Sequence, residues 1–153
     1  MPDQLSLLRV IFHAGALVVV TLVIHAVGFD ALLRVLVRSR ALNTSGFRHV
    51  IRFVIGLGCW LILVHSLEIC VWGLFYLWQG CLPNFKDALY FSGTTYTTAG
   101  YGDLVLPRQW RMLAPLEALT GILMCGISAG LFFAVISRWI NEALQRKAAL
   151  EHP

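Results

Sequence analysis

A short polar stretch lies between two long apolar segments, and it limits the possible folds more than any other feature. Residues 97–103, with sequence TTAGYGD, have no regular helical or strand pattern. Irregular backbone at membrane depth is stable only where protein buries it or where it lines a water-filled path, because hydrocarbon cannot satisfy free amides and carbonyls. Gly100 and Gly102 permit conformations that turn consecutive carbonyls toward one axis. The stretch is therefore expected to line an aqueous path.

The composition places the chain in a bilayer. Hydrophobic residues make up 58% of the 153 residues and charged residues 13%, whereas about a quarter of a soluble domain is charged. Residues 10–29, 53–78 and 110–140 are each long enough to cross a hydrocarbon core of about 30 Å. We interpret residues 1–29 as a retained transmembrane helix. A secretory signal has an apolar core of about 7 to 15 residues that comes after a basic cluster. In this segment the apolar core is longer, and the basic cluster comes after it.

Most of the net charge of +4 comes from one basic segment. Residues 30–49 are predicted to form an amphipathic cytoplasmic linker, with Asp30 capping a helix that lies in the membrane interface. By the positive-inside rule, residues 34–52 and the tail at 141–153 face the cytoplasm, and the amino terminus faces outward with residues 97–103. The arginines are expected to contact anionic lipid, with Arg34, Arg38 and Arg40 as candidates. Nucleic-acid binding is not expected.

A short helix is predicted directly before the polar stretch. Its capping signal is Pro83-Asn84, with Asp87 three residues further on, where a carboxylate meets free amides and the positive end of the helix dipole. Residues 85–97 are too few to span a membrane, which is typical of a re-entrant helix. The carboxyl end of such a helix favours a cation below the polar stretch.

These residues carry a family resemblance. Residues 98–103, TAGYGD, resemble the selectivity filter of potassium channels, usually TVGYGD, with Ala99 in place of valine or isoleucine. Residues 85–92 resemble that family's pore helix, and residues 110–140 resemble its inner helix. The resemblance implies an all-α membrane protein with three transmembrane helices, a re-entrant pore helix and a filter loop. Residues 50–140 would form the pore domain, and the first helix would be an addition to a small bacterial-type pore in the inner membrane.

The resemblance also implies a function. One pore loop supplies one wall of a four-sided column, so three further identical subunits are expected. Backbone carbonyls of the filter would hold dehydrated potassium, and no cofactor is expected. The expected ion-binding residues are Thr98, Ala99, Gly100, Tyr101 and Gly102. The expected supports of the filter are Asp103, Thr94, Thr97, Glu68 and Tyr90, and the Tyr101 ring is expected to pack against Tyr90 or Phe91.

Two other functions stay open. Ala99 has two methyl groups fewer than valine, so its layer of the filter could be slack and the channel a weakly selective cation channel. A non-conducting membrane partner with channel ancestry is the other alternative. An enzyme is not expected, because no loop combines a nucleophile, a base and an oxyanion site.

Buried polar groups give further predictions. Glu68 stands inside the second apolar segment, where a carboxylate costs about 2.5 kcal/mol or more. We predict that it bonds threonines of the pore helix, and the alternative is a neutral acid bonded to a neighbouring helix. His13 and His25 are either neutral imidazoles bonded to backbone or to neighbouring helices, or proton sensors. Glu117 has Arg108 and Arg111 as candidate partners.

Two small residues and one thiol have open roles. Gly121 and Gly126 in the last helix are candidates for a gating hinge, and close helix packing is the alternative. The four cysteines show no metal-ligand spacing. Cys81, in a loop, is either an idle thiol or a bridge to a neighbouring subunit.

Overall fold

The computed structural model describes residues 2–38 and 47–151, and most of this length is helical. The helices are α1 (Pro2–Arg38), α2 (Phe47–Trp78), α3 (Phe85–Tyr96) and α4 (Leu113–Glu151), with a 3-10 turn at Arg108–Trp110 before α4. The described residues contain no strand. α1, α2 and α4 carry segments long and apolar enough to cross a membrane: Leu8–Val35, Val50–Trp78 and Arg108–Glu142. The predicted all-α membrane class with three spanning helices is confirmed.

The first helix is longer than predicted. α1 continues without interruption from residue 29 to Arg38, so a separate helix beginning at Asp30 is wrong over residues 30–38. Asp30 does not cap a new helix; it forms an i,i+4 ion pair with Arg34, at 2.7 Å, on the surface of the continuing one. No proline or glycine interrupts residues 29–38. The rest of the predicted linker up to residue 46, which includes Arg40, lies outside the described residues.

The other two long helices also differ from prediction at their ends. α2 begins at Phe47, six residues before the predicted start, and ends at Trp78 as predicted. α4 begins at Leu113, because the 3-10 turn occupies Arg108–Trp110. It then continues through the predicted tail to Glu151. The tail sequence NEALQRKAALE consists almost entirely of strong helix formers, so nothing in it ends the helix.

α3 has the predicted start. Asn84 is its N-cap: Asn84 Oδ1 accepts a hydrogen bond of 2.9 Å from the Asp87 backbone N–H, and Asn84 Nδ2 donates to Asp87 Oδ2 at 2.9 Å. The cap satisfies amide groups that would otherwise have no partner in the first turn. α3 ends at Tyr96, one residue before the predicted end, and Thr97 is its C-cap.

The apolar core has two parts. The larger one lies around α3, the first half of α1, the end of α2 and the start of α4. It contains Val10, Ala14, Leu17, Trp72, Phe75, Tyr76, Cys81, Leu82, Ala88, Phe91, Leu106, Trp110 and Leu113. The smaller one forms around Leu32 and Leu57. Cys81 is only 8% exposed, and burial raises the pKa of its thiol. Its side chain therefore packs in the core of its own protomer, which favours the idle thiol over a bridge between subunits.

α1 is attached to α2 by hydrogen bonds in successive turns. Trp72 Nε1 donates to Thr21 Oγ1 at 3.0 Å, His25 Nδ1 lies 2.9 Å from Glu68 Oε1, and Trp60 Nε1 donates to the Gly28 carbonyl oxygen at 3.0 Å. These contacts hold the first helix in a defined register against the second.

Candidate ion-conduction site

The backbone of the loop after α3 alternates in conformation. Thr98, Gly100 and Gly102 have φ values of 63°, 49° and 76°, whereas Ala99 and Tyr101 do not have positive φ. Alternation between left-handed and other conformations turns successive peptide groups toward a common side. Glycine accepts positive φ without steric cost, and Thr98 is the one residue with a side chain that does so among those described. This is the backbone pattern that a column of carbonyls requires.

Backbone hydrogen bonds tie this loop to the last turn of α3. The Thr98 N–H donates to the Thr95 carbonyl oxygen at 2.9 Å, and the Gly100 N–H donates to the Thr94 carbonyl oxygen at 3.0 Å. Thr94 therefore contacts the loop through its backbone. The hydroxyls of Thr94 and Thr97 donate to carbonyls within α3, at 3.0 Å to Phe91 and 2.7 Å to Gly93.

The carboxyl-terminal end of the loop is held by a hydrogen bond between two side chains. Tyr90 Oη donates to Asp103 Oδ2 at 2.8 Å. This bond raises the pKa of Tyr90, since ionising the phenol would remove the donor and place a second negative charge beside Asp103. The structure thus brings together two of the predicted supports, one from α3 and one from the loop.

The opposite side of the loop is uncovered in the protomer. Residues 97–103 are all exposed, and the Tyr101 side chain is 74% exposed. Among the described rings, Tyr101 has no aromatic partner, so the predicted packing against Tyr90 or Phe91 is wrong within one protomer. A cleft of about 400 Å³ separates the loop from the start of α4, with Thr94, Thr98, Gly100, Tyr101 and Ala118 in its lining. The loop therefore has a free surface on this side.

Behind α3, a buried carboxyl joins three helices. Tyr76 Oη donates to Glu117 Oε2 at 2.7 Å, and Ser92 Oγ lies 2.5 Å from Glu117 Oε1 and 2.8 Å from the Ile69 carbonyl oxygen. Because a serine has a single hydroxyl hydrogen, both serine contacts can be hydrogen bonds only when Glu117 carries a proton. A neutral acid is also the cheaper form at this depth.

The predicted arginine partners of Glu117 are wrong. Arg111 instead directs its Nε toward the Leu106 carbonyl oxygen, at 3.2 Å. Glu117 faces the interior of the helix bundle and has no exposed surface, whereas Arg108 and Arg111 are exposed. Long cationic side chains extend toward water from such positions instead of entering the core.

A second buried carboxyl lies at the carboxyl-terminal end of α3. Glu68 has no exposed surface. Its Oε1 lies 2.9 Å from His25 Nδ1, and its Oε2 accepts from Tyr96 Oη and lies 3.2 Å from His65 Nδ1. The prediction that Glu68 bonds α3 threonines is therefore wrong: the phenol of Tyr96 reaches Glu68 instead, and the hydroxyls of Thr94 and Thr97 are used within α3.

The second ring nitrogen of each of the two histidines, His25 and His65, lies near one serine hydroxyl. His65 Nε2 lies 3.0 Å from Ser128 Oγ, and His25 Nε2 lies 3.5 Å from the same oxygen. His25, His65 and Glu68 place one donor atom each within 4.8 Å of one another, which is close enough to hold a metal ion. All buried side-chain nitrogen and oxygen atoms described already have hydrogen-bond partners, so the cluster is complete as a hydrogen-bonded network. His13 bonds the Arg9 carbonyl oxygen at 2.6 Å and lies outside it.

Gly121 is where α4 touches the end of α3. A β-carbon placed on Gly121 would overlap the Tyr96 carbonyl oxygen. Nothing lies within 4 Å of the corresponding position on Gly126. α4 is a continuous helix through both glycines. Close packing against Tyr96 explains why residue 121 is a glycine. The gating hinge stays a prediction, and Gly126 suits it better because no packing contact requires a glycine there.

The comparisons with known proteins agree with this geometry. A family model described as ion channel matches residues 55–138, which is more than half of the chain. The chain belongs to this ion channel family. It is an integral membrane protein whose matched segment runs from α2 through α3 and the loop into α4. No curated protein and no solved structure matches the chain.

Sequence reasoning missed several residues of the site. Tyr96, Ser92, Tyr76 and Ser128 are polar partners of the two carboxyls and were not predicted as such. One signal was available: Ser92 and Tyr96 lie four residues apart, so they share one face of α3 with Ala88. A polar pair on a face that must pack against apolar helices requires buried partners.

Proposed function

We propose that four copies of this chain form a potassium-selective channel, with residues 98–102 as the selectivity filter. The observation that carries this proposal is the alternation of positive φ at Thr98, Gly100 and Gly102 within the sequence TAGYGD. Carbonyls of Thr98, Ala99, Gly100 and Tyr101 would replace the hydration shell of potassium. The ion moves down its electrochemical gradient, and no chemical step is involved.

Two further observations support assembly around the loop. The filter is uncovered on one side, and a single chain has no second wall to complete a coordination cage. The exposed Tyr101 ring and the cleft beside α4 offer a surface that an identical neighbour can fill. Fourfold cyclic symmetry would place four such loops around one axis.

The orientation and the lipid contact belong to the same proposal. The filter and the amino terminus would face outward across a plasma membrane, and the arginine-rich segment at 34–52 would face the cytoplasm. Arg34 has a side chain 78% exposed, paired with Asp30 on the same helix. Together with Arg38 and Arg40 it would contact anionic lipid headgroups.

Reconstitution tests the proposed function directly. Purified chain in liposomes is expected to release potassium down a gradient, barium is expected to block the flux, and cross-linking is expected to give a tetramer. In mixed potassium and sodium the reversal potential should follow potassium. A tetramer without flux would support the non-conducting partner, and a monomer or dimer would refute the pore.

A weakly selective cation channel is the second candidate, and Ala99 favours it. The side chain here is small, and the Tyr101 ring two residues later is largely exposed in the protomer. Ala99→Val restores the usual residue of the resembled filters. If the layer is slack, this variant should raise the preference for potassium over sodium several-fold, to be read from reversal potentials. Equal selectivity in both proteins would exclude a slack layer at this position.

A further inference from the structure

The polar cluster around Glu68, at the carboxyl-terminal end of α3, contains one residue from outside the segment that matches the channel family. His65, Glu68, Tyr96 and Ser128 all fall within residues 55–138, which match the family model. His25 belongs to α1, which precedes that segment. It is 4% exposed and lies 2.9 Å from Glu68 Oε1. An added helix thus contributes a side chain to the middle of the pore domain's polar network.

The contacts divide the two oxygens of Glu68 between different partners. Among the described side chains, Oε1 is bonded by His25, while Oε2 is bonded by Tyr96 and His65. With the ring hydrogen on Nδ1, His25 donates to Oε1 and fixes the orientation of the carboxyl group. Without His25, Oε1 would be a buried acceptor with no partner, and the carboxyl group would rotate or shift to find one.

Tyr96 transmits this orientation to the loop. Tyr96 is 1% exposed, is the last residue of α3 and precedes Thr98 by two positions. Its carbonyl group packs against Gly121 of α4, so both ends of the residue are held. A shift of Glu68 acts on the phenol of Tyr96, which also lies 2.9 Å from His65 Nδ1. Because the buried side chain has little room to move, part of this shift passes through its backbone to the start of the loop.

We propose that His25 is a positioning residue for ion selectivity, acting through Glu68 and Tyr96 to fix the inner end of the filter. This inference rests on the proposed channel function and assigns a role to α1 within it. His25 does not touch the ion; it acts across three helices on the geometry of the first carbonyls.

The test compares three variants of α1 in liposomes. His25→Leu removes the donor, His25→Asn keeps an N–H near the position of Nδ1, and Thr21→Val removes the bond to Trp72 one turn away. Thr21→Val loosens the same pair of helices without touching Glu68. His25→Leu is expected to raise the sodium to potassium permeability ratio about tenfold, as for loss of one buried hydrogen bond. His25→Asn and Thr21→Val should stay near the original value.

Tyr96→Phe supplies a test that leaves α1 intact. It removes the phenolic oxygen that links Glu68 to the filter, so it should raise the same permeability ratio. In the double variant with His25→Leu, the ratio should rise no further than in the stronger single variant, because both changes break one chain of contacts. If His25→Leu does not assemble, Tyr96→Phe alone decides: unchanged selectivity refutes the proposal.

The outcomes separate this inference from the proposed function. If the unmodified chain conducts without preferring potassium, or does not conduct, the proposed function fails first. If it is selective and His25→Leu matches it, the positioning role is wrong and the channel stands. If Thr21→Val shifts selectivity as much as His25→Leu, the effect is general loosening of α1, and the proposal is also overturned.

Discussion

The back of α3 and the loop that follows it have opposite environments. The back of α3, defined by Ala88, Ser92 and Tyr96, is 0%, 0% and 1% exposed and packs against α2 and α4. The loop at residues 97–103 is exposed along its whole length. The back of α3 is therefore fully packed within the protomer, whereas the loop that follows it has no covering residues in the protomer. Changes at Ala88 or Ser92, in the middle of this back, should therefore damage folding, whereas changes in the loop should damage conduction in a folded chain.

The two buried carboxyls sharpen this contrast. Glu117 is bonded by hydroxyls of Tyr76 and Ser92, and it holds the middle of α3. Glu68 is bonded by two imidazoles and by Tyr96, and it holds the end of α3 next to the loop at residues 97–103. Each carboxyl joins α3 to its neighbours, and Glu68 is the one bonded to the last residue of α3, two positions before Thr98. Under the proposed function, we expect a bond at this end of α3 to affect selectivity as well as folding, and a bond in the middle of α3 to affect folding alone.

The largest effect is expected for Gly121→Ala. The added β-carbon would overlap a backbone oxygen of Tyr96, which cannot move aside as a flexible side chain can. Overpacking of this kind costs about 1 to 3 kcal/mol and occasionally more. We expect a lower melting temperature in detergent and little tetramer by size-exclusion chromatography. Gly130→Ala is the matched control, because nothing lies within 4 Å of its new carbon. Equal melting temperatures for the two variants would contradict close packing at Gly121.

Gly100→Ala tests the open side. Gly100 has a φ of 49° and room for a β-carbon in the protomer, so the variant is strained without being crowded. The left-handed conformation costs a residue with a side chain about 1 to 2 kcal/mol, and relief of this strain would rotate a peptide group in the filter. Potassium flux should be lost while the melting temperature changes little. Gly56→Ala, in open space on α2, is the control. Normal flux in Gly100→Ala would argue against a filter at this residue.

Glu117→Leu tests the back of α3 away from the filter. The substitution leaves the buried hydroxyls of Tyr76 and Ser92 without their shared partner, at a cost of about 1 to 3 kcal/mol. Glu117→Gln keeps one acceptor for Tyr76 and one donor for Ser92, so it should retain most of the stability. Thermal unfolding measures the difference, and flux per folded tetramer should be similar in both. A leucine variant as stable as the glutamine variant would show that this bond network adds no stability.

Much of the architecture follows from local sequence, whereas the partners of buried groups do not. The helix start at Asn84 was predictable because capping depends on residues three positions apart. The positive φ at Gly100 and Gly102 was predictable because glycine allows it. The partners of Glu68 and Glu117 depend on which helices meet and at what register, and neither can be read from one segment. The helix ends were misplaced where strong helix formers continue past the apolar span, as in α4.

The smallest effect is expected at the outer end of the filter, from Tyr90→Phe. This change removes the bond to Asp103 at an exposed site, where water can replace the lost donor. Potassium flux should persist, with a modest loss of selectivity at neutral pH. The bond raises the pKa of Tyr90. Below the ordinary pKa of tyrosine the phenol is therefore protonated, and the bond contributes fully to holding the loop. This contribution is lost as the pH rises through the raised pKa.

The advantage of the unmodified channel over Tyr90→Phe should therefore be lost at high pH, when the ionised phenol can no longer donate and its negative charge repels Asp103. Reversal potentials measured across neutral to alkaline pH check this. An advantage that persists unchanged above the pKa of Tyr90 would contradict a role for the hydrogen bond that Tyr90 donates to Asp103. Either result distinguishes an exposed contact that supports the loop at residues 97–103 from the buried contacts that stabilise α3, because water can reach the bond between Tyr90 and Asp103.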